Sequence, residues 1–295
     1  MIKIGLVGGA MGFHGFVFTC IINGCDDKKV EAAKLWNPKI RLEGAKIVKV
    51  WDGKREDAEK LAEMCYVDEV CPTPEGVAEN VDTVIIPDAP PYPSKHQKLA
   101  FPFLEKRIPL FIDKPLSNDV KEAEKIVAMA QENNVLLMSC SALRYSRELK
   151  EAQEEIDAIK PIITASAYGP NDLVYYGIHP LELCYTVMGP GVESVYNVGK
   201  EDRHIVRIAY KDGRTIVLQV FKDACNVFHL NLYGKKGWKS IIVKDSAYFY
   251  WNMLNHFLWM VKERKYPIPL ENMLEIIKIL MSAKESLETG KEVLL

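Results

Sequence analysis

The sequence predicts an α/β protein in two parts: a doubly wound parallel sheet first, then an α+β domain with an open, mostly antiparallel sheet. Three observations carry that reading. The first apolar strand runs directly into a glycine-rich turn that opens a helix. Strand-like and helix-like segments then alternate as far as Ser139, the pattern of parallel strands joined by right-handed crossovers. Beyond Leu143-Arg144 the pattern changes to strands joined by hairpin turns. The expected domains are therefore 1–143 and 144–295, each long enough for a core of its own.

Each element has a local cause. Ile2 to Val7 is a short apolar strand, Gly8 to Gly12 a turn, and Gly15 to Ile22 an apolar helix. Ile47 to Trp51 forms a second strand ending at Asp52-Gly53. The helix after it sets Ala58, Leu61, Ala62 and Cys65 on one face. Between that strand and the first helix, Asn23 to Lys46 reads as an insertion, with a short helix around Val30, Ala33 and Leu35 and a turn at Trp36-Asn37-Pro38. Val81 to Ile86 is a strand, followed by a proline-rich loop. The helix Ser94 to Lys106 should kink or break at Pro102. Leu110 to Ile112 is the next strand, Ser117-Asn118-Asp119 caps a helix to Glu132, and Val135 to Ser139 closes the sheet.

In the second half, Ile162–Tyr168, Ser194–Val198, Ile205–Tyr210, Thr215–Phe221, Val227–Tyr233 and Ser240–Val243 are strand-like. Asp212-Gly213 and Gly234 to Gly237 supply turns. Helices are expected at His179–Met188, Tyr248–Glu263 and Glu271–Glu288, the last stopped by Gly290.

Composition narrows the function classes. Hydrophobic residues at 48% and charged residues at 26% are those of a globular protein. A net charge of −2 argues against nucleic acid as a partner. No stretch approaches the ~18 apolar residues of a membrane span, and the opening strand is too short for a signal peptide. A cytoplasmic location is expected. The seven cysteines are scattered without a Cys-x-x-Cys pair, so reduced and mostly buried thiols are expected, with no metal site.

Four places carry chemistry. In Gly8-Gly9-Ala10-Met11-Gly12-Phe13-His14-Gly15, glycines let the backbone approach a pyrophosphate at a helix N-terminus. Ala10 and Phe13 stand where the G-x-G-x-x-G spacing has glycines; Ala10 is tolerable, but Phe13 implies a longer or differently shaped turn, and the alternative is a plain strand-to-helix connection. Asp52, ending the second strand, is placed to bond ribose hydroxyls and favours NAD over NADP, although Lys54 and Arg55 offer charge for a 2′-phosphate. Lys114 ends a buried strand in Phe111-Ile112-Asp113-Lys114-Pro115, where a desolvated ammonium holds a substrate oxygen or merely pairs with Asp113. His179 begins an apolar helix in Tyr175-Tyr176-Gly177-Ile178-His179 and is either a proton carrier or a structural histidine; Glu182, one turn on, is placed to orient its imidazole or merely to pair with it.

Together these residues resemble the glucose-fructose oxidoreductase / inositol dehydrogenase (Gfo/Idh/MocA) family over nearly the whole chain. The resemblance rests on the glycine turn, Val48 to Asp52, Asp113-Lys114-Pro115 for the family's Glu-Lys-Pro, Leu143-Arg144-Tyr145, and Gly177-Ile178-His179. It implies a Rossmann domain followed by an α+β domain whose open sheet makes homodimer or homotetramer contacts. It also implies hydride transfer between NAD(P) and a hydroxyl of a sugar, cyclitol or related polyol.

Carried onto this chain, the cofactor set is Gly8, Gly9, Ala10, Gly12, His14, Asp52, Asp88, His96 and Lys114. The resemblance makes Lys114, His179 and Tyr175 catalytic, with Arg144, Tyr145, Tyr175 and His179 against the substrate. One departure matters: the family's Asp-x-Gly-x-His is here Tyr175-x-Gly177-x-His179, and a tyrosine donates a hydrogen bond without supplying negative charge. That change leaves two other readings open. One is a non-catalytic sensor that binds dinucleotide or sugar. The other is an enzyme that uses NAD internally for elimination or hydrolysis.

Overall fold

A computed structural model describes residues 1–87 and 96–295; Asp88 and the proline-rich loop lie outside the described residues. The chain forms two compact units. The first comprises Met1–Ser117, Lys121–Ser139 and Tyr250–Leu270; the second comprises Asn118–Val120, Cys140–Phe249 and Glu271–Leu295.

The first unit is a Rossmann fold. Its elements are β1 (Ile2–Val7), α1 (Phe13–Asn23), α2 (Asp27–Ala32), β2 (Ala45–Trp51), α3 (Arg55–Cys65), β3 (Glu69–Val70), β4 (Thr83–Ile86), α4 (His96–Glu105), β5 (Leu110–Ile112), α5 (Val120–Glu132) and β6 (Leu137–Met138). The strands pair in parallel in the order β3-β2-β1-β4-β5-β6, with Ile4 opposite Ile47 and Ile85 opposite Phe111. The central strands are mostly buried, as in Ile4 to Val7 of β1. All four residues of β4 are buried, and each fully buried Ile, Leu or Phe contributes ~1.5–3 kcal/mol.

Several sequence expectations change in detail. The first helix begins at Phe13 rather than Gly15, because Gly12 serves as its N-cap. Edge strand β3 is only two residues long and leaves too little periodicity to detect. Pro102 lies inside α4, and the helix continues past it to Glu105. In the insertion, Asp26 caps α2 by accepting from the Lys28 and Lys29 N–H groups.

The sequence reading gave everything after residue 143 to the second domain. The structure returns Tyr250–Leu270 to the first unit. Phe257 is fully buried with its ring 5.6 Å from that of Phe111, and the Tyr266 hydroxyl donates to the Val135 carbonyl at 2.9 Å. Amphipathic periodicity reveals that this stretch is a helix but not which core it fills.

The second unit contains α6 (Arg147–Glu151), α7 (Gln153–Ile159), β7 (Ile162–Pro170), α8 (Ile178–Met188), β8 (Val192–Asn197), β9 (Arg203–Tyr210), β10 (Thr215–Phe221), β11 (Phe228–Gly234) and β12 (Gly237–Val243). The long helix α9 (Ser246–Glu263) starts in it, and α10 (Leu270–Thr289) and β13 (Val293–Leu294) complete it. Strand order is β12-β11-β7-β10-β9-β8-β13, antiparallel except for the parallel β7–β10 pair. One face is buried: His204, Val206 and Ile208 point inward, while Arg203, Ile205 and Arg207 are exposed. Helix α8 packs against β7, and Gly169 makes this possible: a Cβ there would lie 2.7 Å from the Pro180 ring.

Six of the seven cysteines are buried and unbridged; Cys225 is exposed. No helix among the described residues is long and apolar enough to cross a membrane. No group of three or more His, Cys, Asp or Glu side chains among them converges as metal ligands.

Candidate active site

In the first unit the candidate side chains lie at the C-terminal ends of β1, β2 and β5, near the point between β1 and β4 where the strand order reverses direction and such sheets open a crevice. Gly8 and Gly9 leave β1 at φ of 75° and 57°, left-handed values that favour glycine. The Gly12 N–H then returns to the Gly9 carbonyl at 3.0 Å. The result is a short turn closed across Gly9 to Gly12, not a longer one.

Gly15 lets α1 dock on this turn, since a Cβ there would lie 2.1 Å from the Gly9 carbonyl oxygen. Gly15→Ala is therefore expected to destabilise the protein by ~2 kcal/mol or more and to weaken dinucleotide binding; a thermal melt and an NADH titration measure both effects. The N-terminus of α1 has no side-chain cap and no acidic residue in its first turn. Its N–H groups are thus left for an anion, which fits a pyrophosphate.

Asp52 holds this turn. Its carboxylate accepts from the Ala10 N–H and the Lys54 N–H, both at 2.8 Å. Its place at the end of a strand predicts only a ribose contact for Asp52 and does not reveal its hold on the turn. His14 points into the unit: Nδ1 pairs with the Asp113 carboxylate, Nε2 lies 3.1 Å from the Tyr250 hydroxyl, and the ring stacks on Phe18. Burial pushes the Asp113 carboxyl up, but the neighbouring His14 and Lys114 outweigh it and hold the group below the usual carboxylate range.

Lys114 follows Asp113, is 3% exposed, and sits two residues beyond β5. The segment after it is pinned by buried His96, whose Nδ1–H donates to the Leu116 carbonyl at 3.1 Å. Phe13, beside the turn, is 55% exposed and lies parallel to the insertion's Trp36 at 5.9 Å between ring centres.

In the second unit His179 lies in the first turn of α8, 8% exposed. Its ring stands edge-on to Tyr176 at 5.7 Å and to Phe228 at 5.3 Å, and Nδ1 is 2.7 Å from the Ser141 hydroxyl. Glu182, expected as the direct partner of His179, instead accepts from the Ser141 backbone N–H at 3.2 Å and pairs with Arg144 Nε. Burial pushes the Glu182 carboxyl above the usual range, against the pull of Arg144.

Arg144 also lies over the Tyr185 ring, 5.6 Å from its centre. Burial raises the Tyr145 phenol well above its ordinary value, so it stays protonated and able to donate. Tyr175 has its N–H capped by the Asp172 carboxylate at 2.6 Å, and its ring meets Tyr176. Sequence reasoning missed Ser141, because nothing local links it to a residue 38 positions away.

Comparisons with known proteins bear on the family and the fold. Residues 18–140 match a family described as oxidoreductases with an NAD-binding Rossmann fold. Inositol 2-dehydrogenase 1 of Mycolicibacterium vanbaalenii is 30% identical over 141 residues, which is 47% of this chain and 38% of that protein. The match therefore spans less than half the length of this curated relative.

Among solved structures, myo-inositol dehydrogenase of Lactobacillus casei, in complex with NAD(H) and myo-inositol, has a TM-score of 0.82 at 16% identity, covering 100% of this chain and 97% of that one. The Corynebacterium glutamicum myo-inositol dehydrogenase gives 0.82 at 17%, covering 100% and 99%. At such identities the likeness is one of fold, and it extends over both units.

Proposed function

We propose that the chain, whose residues 18–140 match a family of oxidoreductases with an NAD-binding Rossmann fold, is a Gfo/Idh/MocA-type nicotinamide-dependent dehydrogenase acting on a hydroxyl of a cyclitol, sugar or related polyol. The observation that carries this reading is the buried Lys114 at the same sheet edge as the glycine turn. An ammonium there has lost most of its water, so its field acts strongly on a substrate oxygen. Bound nicotinamide supplies the hydride acceptor or donor. The chain's own residues hold the substrate and handle its proton.

In this reading Lys114 holds the reacting oxygen and stabilises its negative charge, and His179 takes the hydroxyl proton. Tyr175 and Tyr145 donate hydrogen bonds to the polyol. Arg144, bound to Glu182, acts as framework for that pocket rather than as a substrate contact. Gly8, Gly9, Ala10 and Gly12 receive the pyrophosphate, with Asp52 towards the ribose.

The test is a panel of cyclitols, sugars and polyols incubated with NAD or NADP while reduced nicotinamide absorbance is followed. Turnover with a polyol supports the proposal. Binding without turnover points instead to a sensor, a reading that Tyr175 in place of the family's acid keeps in view. Product without net NADH points to internal use of NAD.

Asp52 extends the proposal to the cofactor's phosphate. A 2′-phosphate would meet a carboxylate already held in place by two N–H groups, so NAD is expected to bind at least ~10-fold more tightly than NADP. Asp52→Asn should shrink that ratio towards one; equal affinities in the unaltered protein would refute the preference. Homodimer or homotetramer formation through the second sheet also fits, because Ile205, Tyr233, Trp238 and Ile242 are exposed there. A monomer in light scattering would remove that element.

A further inference from the structure

A histidine that moves a proton through one ring nitrogen needs the other nitrogen fixed, because that second bond decides which nitrogen carries hydrogen in the neutral ring. His179 has such a bond. Its Nδ1 lies 2.7 Å from Ser141 Oγ, and Ser141 is fully buried.

The serine is itself held on two sides. Its hydroxyl oxygen accepts from the Leu143 N–H at 3.2 Å, where Ser141 caps the short 3₁₀ helix Ala142–Tyr145. Its backbone N–H donates to Glu182 Oε1 at 3.2 Å, and the other Glu182 oxygen takes Arg144 Nε. Among the described residues, the groups against the imidazole include the Ser141 hydroxyl, the edge-on Tyr176 ring and the Phe228 ring, with the Glu182–Arg144 pair one bond beyond the serine.

We propose that Ser141 is the positioning residue of His179: its oxygen accepts from Nδ1–H, which leaves Nε2 as the basic nitrogen. This rests on the reading of His179 as the proton carrier. A hydroxyl offers two acceptor positions, and Leu143 uses one of them. The second suits Nδ1–H in both the neutral and the charged ring. The bond therefore survives proton uptake at Nε2 and favours the protonated form. Glu182 and Arg144 act one step further out, by fixing the serine backbone.

The test reads the ring directly. Long-range ¹⁵N–¹H spectra of the full-length protein distinguish the tautomers, with His179→Gln identifying its signal among the six histidines. The unaltered protein is expected to show neutral His179 as the Nδ1–H form. Ser141→Ala should shift it towards Nε2–H, lower its apparent pKa, and move the acidic limb of the kcat/KM profile with it, with kcat falling ~10–100-fold.

Ser141→Thr, which keeps the hydroxyl, should restore all three properties. Ser141→Cys, close in volume but a weak acceptor, should behave like the alanine variant and serves if alanine prevents folding. A tautomer, pKa and pH profile unchanged in folded Ser141→Ala or Ser141→Cys overturns the inference. His179→Gln separates the two claims. If it retains turnover, the proton-carrier reading itself falls. If it is inactive while the Ser141 variants match the unaltered protein, only the positioning role falls.

Discussion

Lys114→Ala is expected to lower kcat by about 100-fold or more while changing the NAD dissociation constant by less than ~3-fold. The expectation follows from burial and place. The ammonium is almost fully enclosed, lies at the edge where the sheet opens, and is followed by a segment that His96 ties down. An interaction made mainly with charge developing on the substrate oxygen appears in kcat, whereas one made with the dinucleotide appears in its binding.

Lys114→Met keeps the apolar stem and guards against a packing artefact. It should be as inactive as the alanine variant and melt closer to the unaltered protein. If NAD binding falls in step with turnover, Lys114 is only a cofactor anchor.

Arg144→Met should be the most destabilising of the proposed substitutions, at ~3–5 kcal/mol, because it strands a charge in the interior of the second unit. Both members of the pair are largely enclosed, with side-chain exposures of 10% for Arg144 and 4% for Glu182. Glu182 is already above the ordinary carboxylate range because of burial, and losing the guanidinium moves it further.

The sign of the pH dependence follows from linkage. A carboxyl whose folded pKa is raised has its full stabilising contribution below the unfolded value, near 4.3, and loses it as pH rises through the folded value. The deficit of Arg144→Met in guanidinium unfolding should therefore be smaller at pH 5 than at pH 8. Adding Glu182→Gln removes the stranded charge yet keeps an acceptor for the Ser141 N–H, so the double variant should recover more than half of the loss. A double variant no better than the single one would mean that the arginine stabilises by packing over Tyr185 instead.

The fold was legible because its signals are local. Continuous apolar strands, a glycine turn at the first strand end and a switch to hairpins mark the two sheets without reference to distant residues. The short elements α6, α7, β3 and β13 escaped, since five or fewer residues, or a brief polar helix, carry little periodicity.

The site was legible in its residue types more than in its bonds. Lys114, His179 and Asp52 stand out by position along the chain. The partners that fix them do not: Asp52 reaches the Ala10 N–H across 42 residues, and Asp113 meets His14 across 99. Glu182 illustrates the limit. Helical spacing put it beside His179, but the helix turns its carboxylate towards Arg144 and Ser141, and the serine makes the contact that spacing assigned to the acid. Which core receives residues 250–270 was likewise hidden, since a helix's apolar stripe does not name the surface it covers.

The most direct test is a crystal structure with NADH and a substrate polyol bound. The pyrophosphate is expected beside the glycine turn, on the N–H groups that the uncapped first turn of α1 leaves open, with the nicotinamide C4 facing the carbon that bears the reacting hydroxyl. Lys114 Nζ should lie within hydrogen-bond reach of that oxygen, about 3 Å. A dinucleotide seated elsewhere, or a Lys114 tip more than about 6 Å from the oxygen with no bridging group, would contradict the proposal.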